Sequence, residues 1–464
     1  MYCYVIRGAI RVKMNCSWTL HVENFAKIKS ADIRLSPLIC FVGDNNSGKS
    51  YMMSLLWGIL NLGKYLFPTN PSESKKYKEC AQWLKSNLGK NVEITDETAE
   101  LYLAWFNEIL ASKKQDLLKN IFNFEVNAER IIIKNLTRTR KVNLAWVPAG
   151  ARYSARANHI QFPMLNEYTK TDLLRMNSYI CWNILMDGLA APMLSPRSSR
   201  KRYGEPIYFP ASRTGFMLTY PQLLSSSLQT TFSVYSEENE GVLTQPYIDF
   251  LQLITQFDSS KQTRKNDIKS IIEFIETNMT KGALNAQNDY VPVIKYRPLD
   301  SKADLPLHVT SSVISEISPI LLTLKSDIKF NSLIIEEPEA HLHPALQKKM
   351  AQVIIRLMNS DIPVWITTHS DTILQHINNM LKLGAMDRSN QITLMQKFGY
   401  SKKDLLNVDD VWMYQFDAKT ESTHITQLER SEYGFVVPTF NDALQKMLDE
   451  VYALDNDEMN IEGD

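Results

Sequence analysis

Gly43-Asp44-Asn45-Asn46-Ser47-Gly48-Lys49-Ser50 satisfies G-x-x-x-x-G-K-[ST] at every fixed position. Each of those residue types meets a requirement of holding phosphate. Gly43 and Gly48 allow backbone torsions that a side chain forbids and let the main chain approach phosphate closely. The loop N–H groups and the N-terminus of the helix that follows then point at the anion. Lys49 reaches the β- and γ-phosphates, and the Ser50 hydroxyl is placed to ligate Mg²⁺. Asn45, Asn46, Ser47 and Tyr51 complete the expected nucleotide-contacting set. The expected ligands are ATP and Mg²⁺.

Two further strand ends carry chemistry. LIIEEPEAHLHP brings an apolar run to Glu336 and Glu337. Beside a phosphate loop, one such acid holds the metal, usually through water, and the next polarises the attacking water. Glu336 is therefore assigned to Mg²⁺ and Glu337 to general base. PVWITTHSD ends on His369, just beyond the strand end where ligands bind in an open parallel sheet. His369 is placed to hydrogen-bond the γ-phosphate. His341 and His343 form H-x-H, but no third ligand stands near them, so zinc is not expected.

These residues need strands and helices to position them. Residues 16–42 alternate apolar and polar and then turn continuously apolar, which predicts two or three strands with the last one buried. SYMMSLLWGILNLGKYL predicts the helix after the loop. PIYFPA, NSLIIEE and PVWITTH read as strands, and HPALQKKMAQVIIRLMNS and SDTILQHINNMLKLG as helices. Strands alternating with helices predict an α/β fold with a mainly parallel sheet. The expected division is a head built from 14–67, 205–217 and 291–440, with a helical and β-hairpin insertion at 68–204. A second, helical insertion fills 218–290, and 441–464 is an acidic tail.

Composition bounds the rest. The chain has 464 residues, 44% of them hydrophobic and 22% charged, enough for a sizeable core. Glycine is scarce, 16 in all, about half the usual roughly 7%. Two of those glycines sit in the phosphate loop. The five cysteines include no C-x-x-C pair, which predicts reduced thiols and a cytoplasmic protein. No run of 18 apolar residues predicts a membrane span. Translation could begin at Met1 or at Met14. The net charge is zero, but residues 449–464 hold seven acids and no base. That tail is either a solvated terminus or a partner-binding segment.

In this order, with a long insertion between the first two, the three motifs resemble the head of an ABC-type ATPase. The resemblance is to the AAA-15/AAA-21 group, related to the OLD (overcoming-lysogenization-defect) family and more distantly to SMC-type ATPases. It is carried by VENFAKIKSADIRLSPLICFVGDNNSGKS, IYFPASRTG, HVTSSVISEISPILL, LIIEEPEAHLHPALQ and VWITTHSDTILQHINNML, about a third of the chain. It implies heads that dimerise, or form higher homo-oligomers, around ATP. The phosphate loop of one copy would meet a signature segment of the other. That segment falls on Thr310-Ser311-Ser312, 25 residues ahead of Glu337, and it contains no glycine. Glu339 to His343 would be the loop at the dimer seam. Gln222 is a candidate for the glutamine that such heads place near the metal. Arg213 would either contact nucleotide or brace its strand.

OLD enzymes carry a Toprim nuclease domain, whereas the residues after His369 show no acidic Toprim cluster. The chain therefore resembles the ATPase subunits of the PARIS and Septu antiphage systems. There, a separate Toprim-like or HNH nuclease is the effector. The alternatives are an SMC-like DNA-repair or chromosome-handling ATPase, which would need long heptad arms, and a direct nuclease. Arg130, Lys134, Arg138, Arg140, Lys141, Arg152 and Arg156 form a basic stretch, with Arg197, Arg200, Lys201 and Arg202 a second cluster. These are expected either to bind DNA or a phage trigger protein, or to be solvated loop residues.

Overall fold

Alternation builds the first two strands. β1 (Cys16–Phe25) and β2 (Ile28–Arg34) pair antiparallel, with inward and outward residues taking turns. β3 (Leu38–Gly43) is apolar up to its final glycine and buried throughout, as a strand covered on both faces must be. The computed structural model describes residues 14–148, 159–191, 193, 204–211, 213–231, 243–260, 266–287, 291–419, 422–431, 434–437, 447–452 and 454.

The remaining strands of the main sheet are β4 (Arg130–Arg138), β5 (Glu205–Phe209), β6 (Phe330–Glu336), β7 (Val364–Thr368), β8 (Val411–Ala418) and β9 (Thr423–Gln427). The nine lie in the order β4-β1-β2-β9-β8-β3-β7-β6-β5. From β8 to β5 every neighbour is parallel, as expected for the core. The other end is an antiparallel wing of β4, β1 and β2, so the complete sheet is mixed. In register, Phe41 faces Thr367, Val42 faces Thr368 and Glu336 faces Thr367. The phosphate loop, the acidic strand end and the histidine strand end therefore leave one edge of the sheet side by side.

The period of two along each central strand divides the interior into two cores. Ile39, Phe41, Ile334 and Trp365 enter one, and Leu38, Val42, Leu333, Ile335 and Ile366 enter the other. Over the first face lies α1 (Lys49–Leu62), apolar nearly all round because it is covered twice. Above it pack α2 (Lys75–Ser86), α3 (Asp96–Phe122) and α4 (Lys170–Leu185). Gly58 permits this approach, since a Cβ there would stand 2.1 Å from Ile121 Cδ1. The 27-residue α3 buries Tyr102, Phe106, Leu118 and Ile121 in this core rather than projecting as a coiled-coil arm.

The second face carries α5 (Arg213–Thr231), α6 (Gln245–Ile254), α7 (Asn266–Ile275), α8 (Ser312–Lys325), α9 (Pro344–Met358) and α10 (Asp371–Ala385). Two features differ from expectation. Residues 130–138, placed in an insertion, are the edge strand of the main sheet, because Ile131 and Ile133 continue its apolar face. Residues 282–287, inside the segment expected to be helical, form a small sheet with 293–298 and 305–306. Among the described residues no helix is long and apolar enough to cross a membrane. Cys16, Cys40, Cys80 and Cys181 are buried free thiols.

The basic stretch meets acids that are remote in sequence. Lys134 pairs with Asp32 at 2.7 Å, Arg138 with Asp96 at 2.8 Å and Lys141 with Glu93 at 3.0 Å. Arg140 pairs with Asp187, its Nε donating at 2.6 Å, and Arg130 lies 3.5 Å from Glu23. A sequence window holds no acid here because tertiary folding supplies them. Arg152, Arg156, Arg197, Arg200, Lys201 and Arg202 lie outside the described residues. Reversing Arg138, Arg140 and Lys141 to Glu is expected to cost at least about 2 kcal/mol of stability, chiefly at the half-buried Arg140–Asp187 pair. Denaturant unfolding measures it, and an unchanged midpoint would count against these pairs.

His376, on α10, is 2% exposed and neither ring nitrogen has a hydrogen-bond partner. Its ring packs 5.8 Å from Tyr400. Burial first, with Lys348 and Lys349 adding and Asp404 opposing, pushes its pKa down to about 4. The unfolded chain, with a histidine near 6.5, takes up the proton first as pH falls. Stability contributed by neutral His376 is therefore complete above about 6.5 and is lost between 6.5 and 4. His376→Leu is expected to flatten that part of the stability profile, which unfolding curves at pH 7 and pH 5 would reveal.

Candidate functional site

The loop that follows β3 is held in the left-handed region at Gly43 (φ 128°), Asn46 (φ 59°) and Gly48 (φ 92°). Gly43 has a second constraint, because a Cβ would stand 2.1 Å from the carbonyl oxygen of Phe416 on β8. Lys49 is folded back on this loop. Its Nζ donates to the carbonyls of Gly43 (3.0 Å) and Asp44 (2.6 Å) and to Ser47 Oγ (3.3 Å). Burial lowers its pKa to about 8, opposed by the carboxylates of Glu337, Asp44, Glu339 and Glu336.

Glu336, the last residue of β6, is 1% exposed. Burial raises its pKa, while the Ser50 and Tyr208 hydroxyls and the Ala211 N–H pull it back. Its Oε2 accepts from Ala211 N at 3.3 Å and from the Tyr247 hydroxyl at 3.4 Å. Its Oε1 is buried and accepts no hydrogen bond. Glu337 sits at φ 42°, a strained position for a residue with a side chain. Its N–H donates to the carbonyl (2.9 Å) and hydroxyl (3.2 Å) of Thr367. Its carboxylate is 42% exposed and lies 4.0 Å from His369 Nε2.

Glu339 turns inward and fixes the histidine. Its Oε1 accepts from the Thr368 hydroxyl (2.9 Å) and the His369 N–H (2.6 Å). Burial, then the Lys49 charge, lowers the His369 pKa below the usual histidine range, with Glu337 and Asp44 opposing, so the ring is neutral at pH 7. A neutral imidazole keeps one donor nitrogen for an anion and one acceptor.

Lys49, Glu337 and His369 line one cavity of about 400 Å³, whereas Gly43, Glu336 and Glu339 lie behind its lining. Asn45, Asn46, Ser47, Gly48, Lys49, Ser50, Tyr51, Glu337 and His369 of the predicted set all face it. Tyr51 is 42% exposed and stacks on Phe122 at 5.0 Å. Ala26, Lys27, Ile28 and Thr367 also line it, and sequence reasoning missed them. The signal available was ENFAKIK, a turn between alternating strands, in which Asn24 and Ala26 adopt φ 45° and 50°.

A family model for AAA ATPase domains, AAA_15, matches residues 18–185 and 208–374. The chain belongs to the AAA_15 family of AAA ATPase domains. It is similar to the endonuclease GajA of Bacillus cereus (strain HuB5-5), at 22% identity over 366 residues, 72% of this chain and 52% of GajA. The chain spans about half the length of that relative. Among solved structures it is similar to the SMC head bound to the C-terminal winged-helix domain of ScpA (TM-score 0.34, 11% identity, 89% of this chain and 97% of that one). It is also similar to the SMC head with extended coiled coil bound to the C-terminal domain of ScpA from Pyrococcus furiosus (TM-score 0.35, 10% identity, 94% and 100%). This AAA_15 chain is an ATPase with an α/β phosphate-loop fold.

Other predicted residues of the AAA_15 ATPase lie elsewhere. Ser311 and Ser312 are exposed at the N-terminus of α8 and do not line the cavity of their own chain. Gln222 is exposed on α5, nine residues beyond Arg213, which places it about 13 Å along the helix and away from the cavity lining. His343 caps α9, its Nδ1 accepting from Ala345 N at 3.4 Å, and His341 is exposed at φ 57°. Arg213 is fully buried. Of its two expected roles, it takes the brace.

Proposed function

We propose that this ATPase scaffolds and controls a separate toxic nuclease in an antiphage defence system, holding it inactive until a phage trigger arrives. The observation that carries the reading is the placement of Lys49, Glu337 and His369 on one cavity in a chain similar to GajA. The assignment of the nuclease to a second protein, Toprim-like or HNH, rests on the resemblance to the PARIS and Septu ATPases. The packing of α3 into the core favours this reading over an SMC-like one, which would need long heptad arms.

Within the site, loop N–H groups and Lys49 bind the β- and γ-phosphates. Lys49 Nζ already lies within this loop, beside the carbonyls of Gly43 and Asp44. Glu337 accepts the proton of the attacking water, and neutral His369 donates to the γ-phosphate. Glu336 and Ser50 would hold Mg²⁺. The fit is chemical: Glu336 Oε1 is a buried oxygen without a donor, and four carboxylates act on a single lysine. When bound, the cation supplies positive charge to the phosphate oxygens.

A second copy would complete the site with Ser311 and Ser312, whose exposure supports that role. ATP-dependent self-association of Glu337→Gln in sedimentation tests this part. Phage plating with the proposed partner nuclease co-expressed tests the whole. Lys49→Ala and Glu337→Gln are expected to lose protection, and full protection by both would rule the reading out.

A further inference from the structure

Arg213 is a fully buried arginine that touches neither solvent nor the cavity. Its Nη1 donates to the carbonyls of Pro210 (3.1 Å) and Glu336 (2.5 Å). Its Nη2 donates to the carbonyl of Glu337 at 3.0 Å, and its Nε to the carbonyl of Glu316 at 3.3 Å. The Glu316 carboxylate, 0% exposed like the guanidinium, pairs with Nη2 and accepts from the Thr214 hydroxyl. One side chain thus ties the end of β5, the start of α5, the end of β6 and α8 together.

Stability alone is a weak reason to keep such a pair. Two buried charges are often matched or bettered by apolar residues of similar volume. What the pair adds is geometric. Arginine presents donors in a rigid plane, so it can fix several acceptors at once, which a lysine ammonium cannot. Two of those acceptors are the carbonyls of the peptides entering and leaving Glu337, the residue held at φ 42°. From the other side Thr367 receives the Glu337 N–H. A strained backbone persists only when its surroundings over-determine it.

We propose that Arg213, held by Glu316, is a positioning residue for ATP hydrolysis: it fixes the Glu336–Glu337 backbone so that the Glu337 carboxylate faces the cavity. Through Glu316 it also makes α8 a part of that positioning, so a shift of α8 changes turnover without touching the nucleotide. The proposal rests on the assignment of Glu337 as general base.

Arg213→Lys keeps a positive charge opposite Glu316 and gives up the planar set of carbonyl contacts. It is expected to lower kcat about 10- to 100-fold while the Kd for a fluorescent ATP analogue stays within threefold. Arg213→Met with Glu316→Met removes both charges together, so neither is stranded, and is expected to show the same split. Thr214→Val, the mildest change, leaves both charges and removes only the hydroxyl that donates to Glu316; a three- to tenfold fall in kcat is expected. A purely structural role would lower the melting temperature, with kcat unchanged per folded molecule. Folded variants with kcat within twofold of wild type, or with kcat and affinity falling together, overturn the proposal. Turnover lost in Glu337→Gln yet kept in the Arg213, Glu316 and Thr214 variants overturns the positioning role alone. Wild-type protein without ATP turnover overturns the reading beneath it.

Discussion

Glu337→Gln is expected to lower ATP turnover about 10²- to 10⁴-fold, the range supplied by a positioned general base, with nucleotide binding retained. The substitution exchanges a carboxylate oxygen for an amide nitrogen and disturbs little else. The contacts that fix this residue are made by its backbone, through Thr367 on one side and Arg213 on the other. Its side chain faces the cavity and lies 4.0 Å from His369 Nε2. Phosphate release at saturating ATP, beside a titration with fluorescent nucleotide, separates the two effects. Turnover within twofold of wild type would remove Glu337 from the role of base and pass the question to Glu339. That residue is already committed to the Thr368 hydroxyl and the His369 N–H.

Lys49→Ala is expected to weaken ATP binding roughly 100-fold, the equivalent of about 3 kcal/mol for lost charge-assisted hydrogen bonds. Folding should change far less. Lys49 carries a burial cost, visible in its lowered pKa, and in return bonds two loop carbonyls and the Ser47 hydroxyl. Alanine removes cost and contacts together. The outcome to look for is a melting temperature within a few degrees of wild type beside a large rise in Kd. A collapse of stability with no separate binding defect would mean that the lysine serves the loop and not the ligand.

The site was legible in the sequence wherever chemistry requires a residue type at a fixed spacing. Gly43, Gly48, Lys49 and Ser50 are close neighbours in the chain, so their geometry is local and one helix N-terminus organises it. Glu336, Glu337 and His369 could be placed because each closes an apolar strand, and parallel strands share an edge. Residues that act through tertiary contact left no such trace. Tyr208 and Tyr247, whose hydroxyls attend Glu336, read as ordinary strand and helix aromatics. Arg213 can be read either way without its surroundings, and Gln222, a candidate by residue type alone, stands on α5 away from the cavity lining.

Charge gave the same lesson from the other direction. Arg130 to Lys141 form a run with no acid among them, and a window along the chain shows only their like charge. Glu23, Asp32, Glu93, Asp96 and Asp187 reach them across strand pairs and helix ends from as far as 107 residues away in the numbering, the Glu23–Arg130 separation. The neutral total of the chain is assembled partly from these pairs.

By itself the sequence determined a phosphate-binding loop, two functional strand ends and an α/β core, because local torsion, periodicity and residue chemistry act over a few positions. Only the tertiary structure decided that β4 belongs to the main sheet, that Lys49 rests on its own loop, and that Arg213 braces the backbone of Glu337. Those outcomes depend on which distant groups are brought within hydrogen-bond reach and out of water, and neither condition is written in any stretch of the chain.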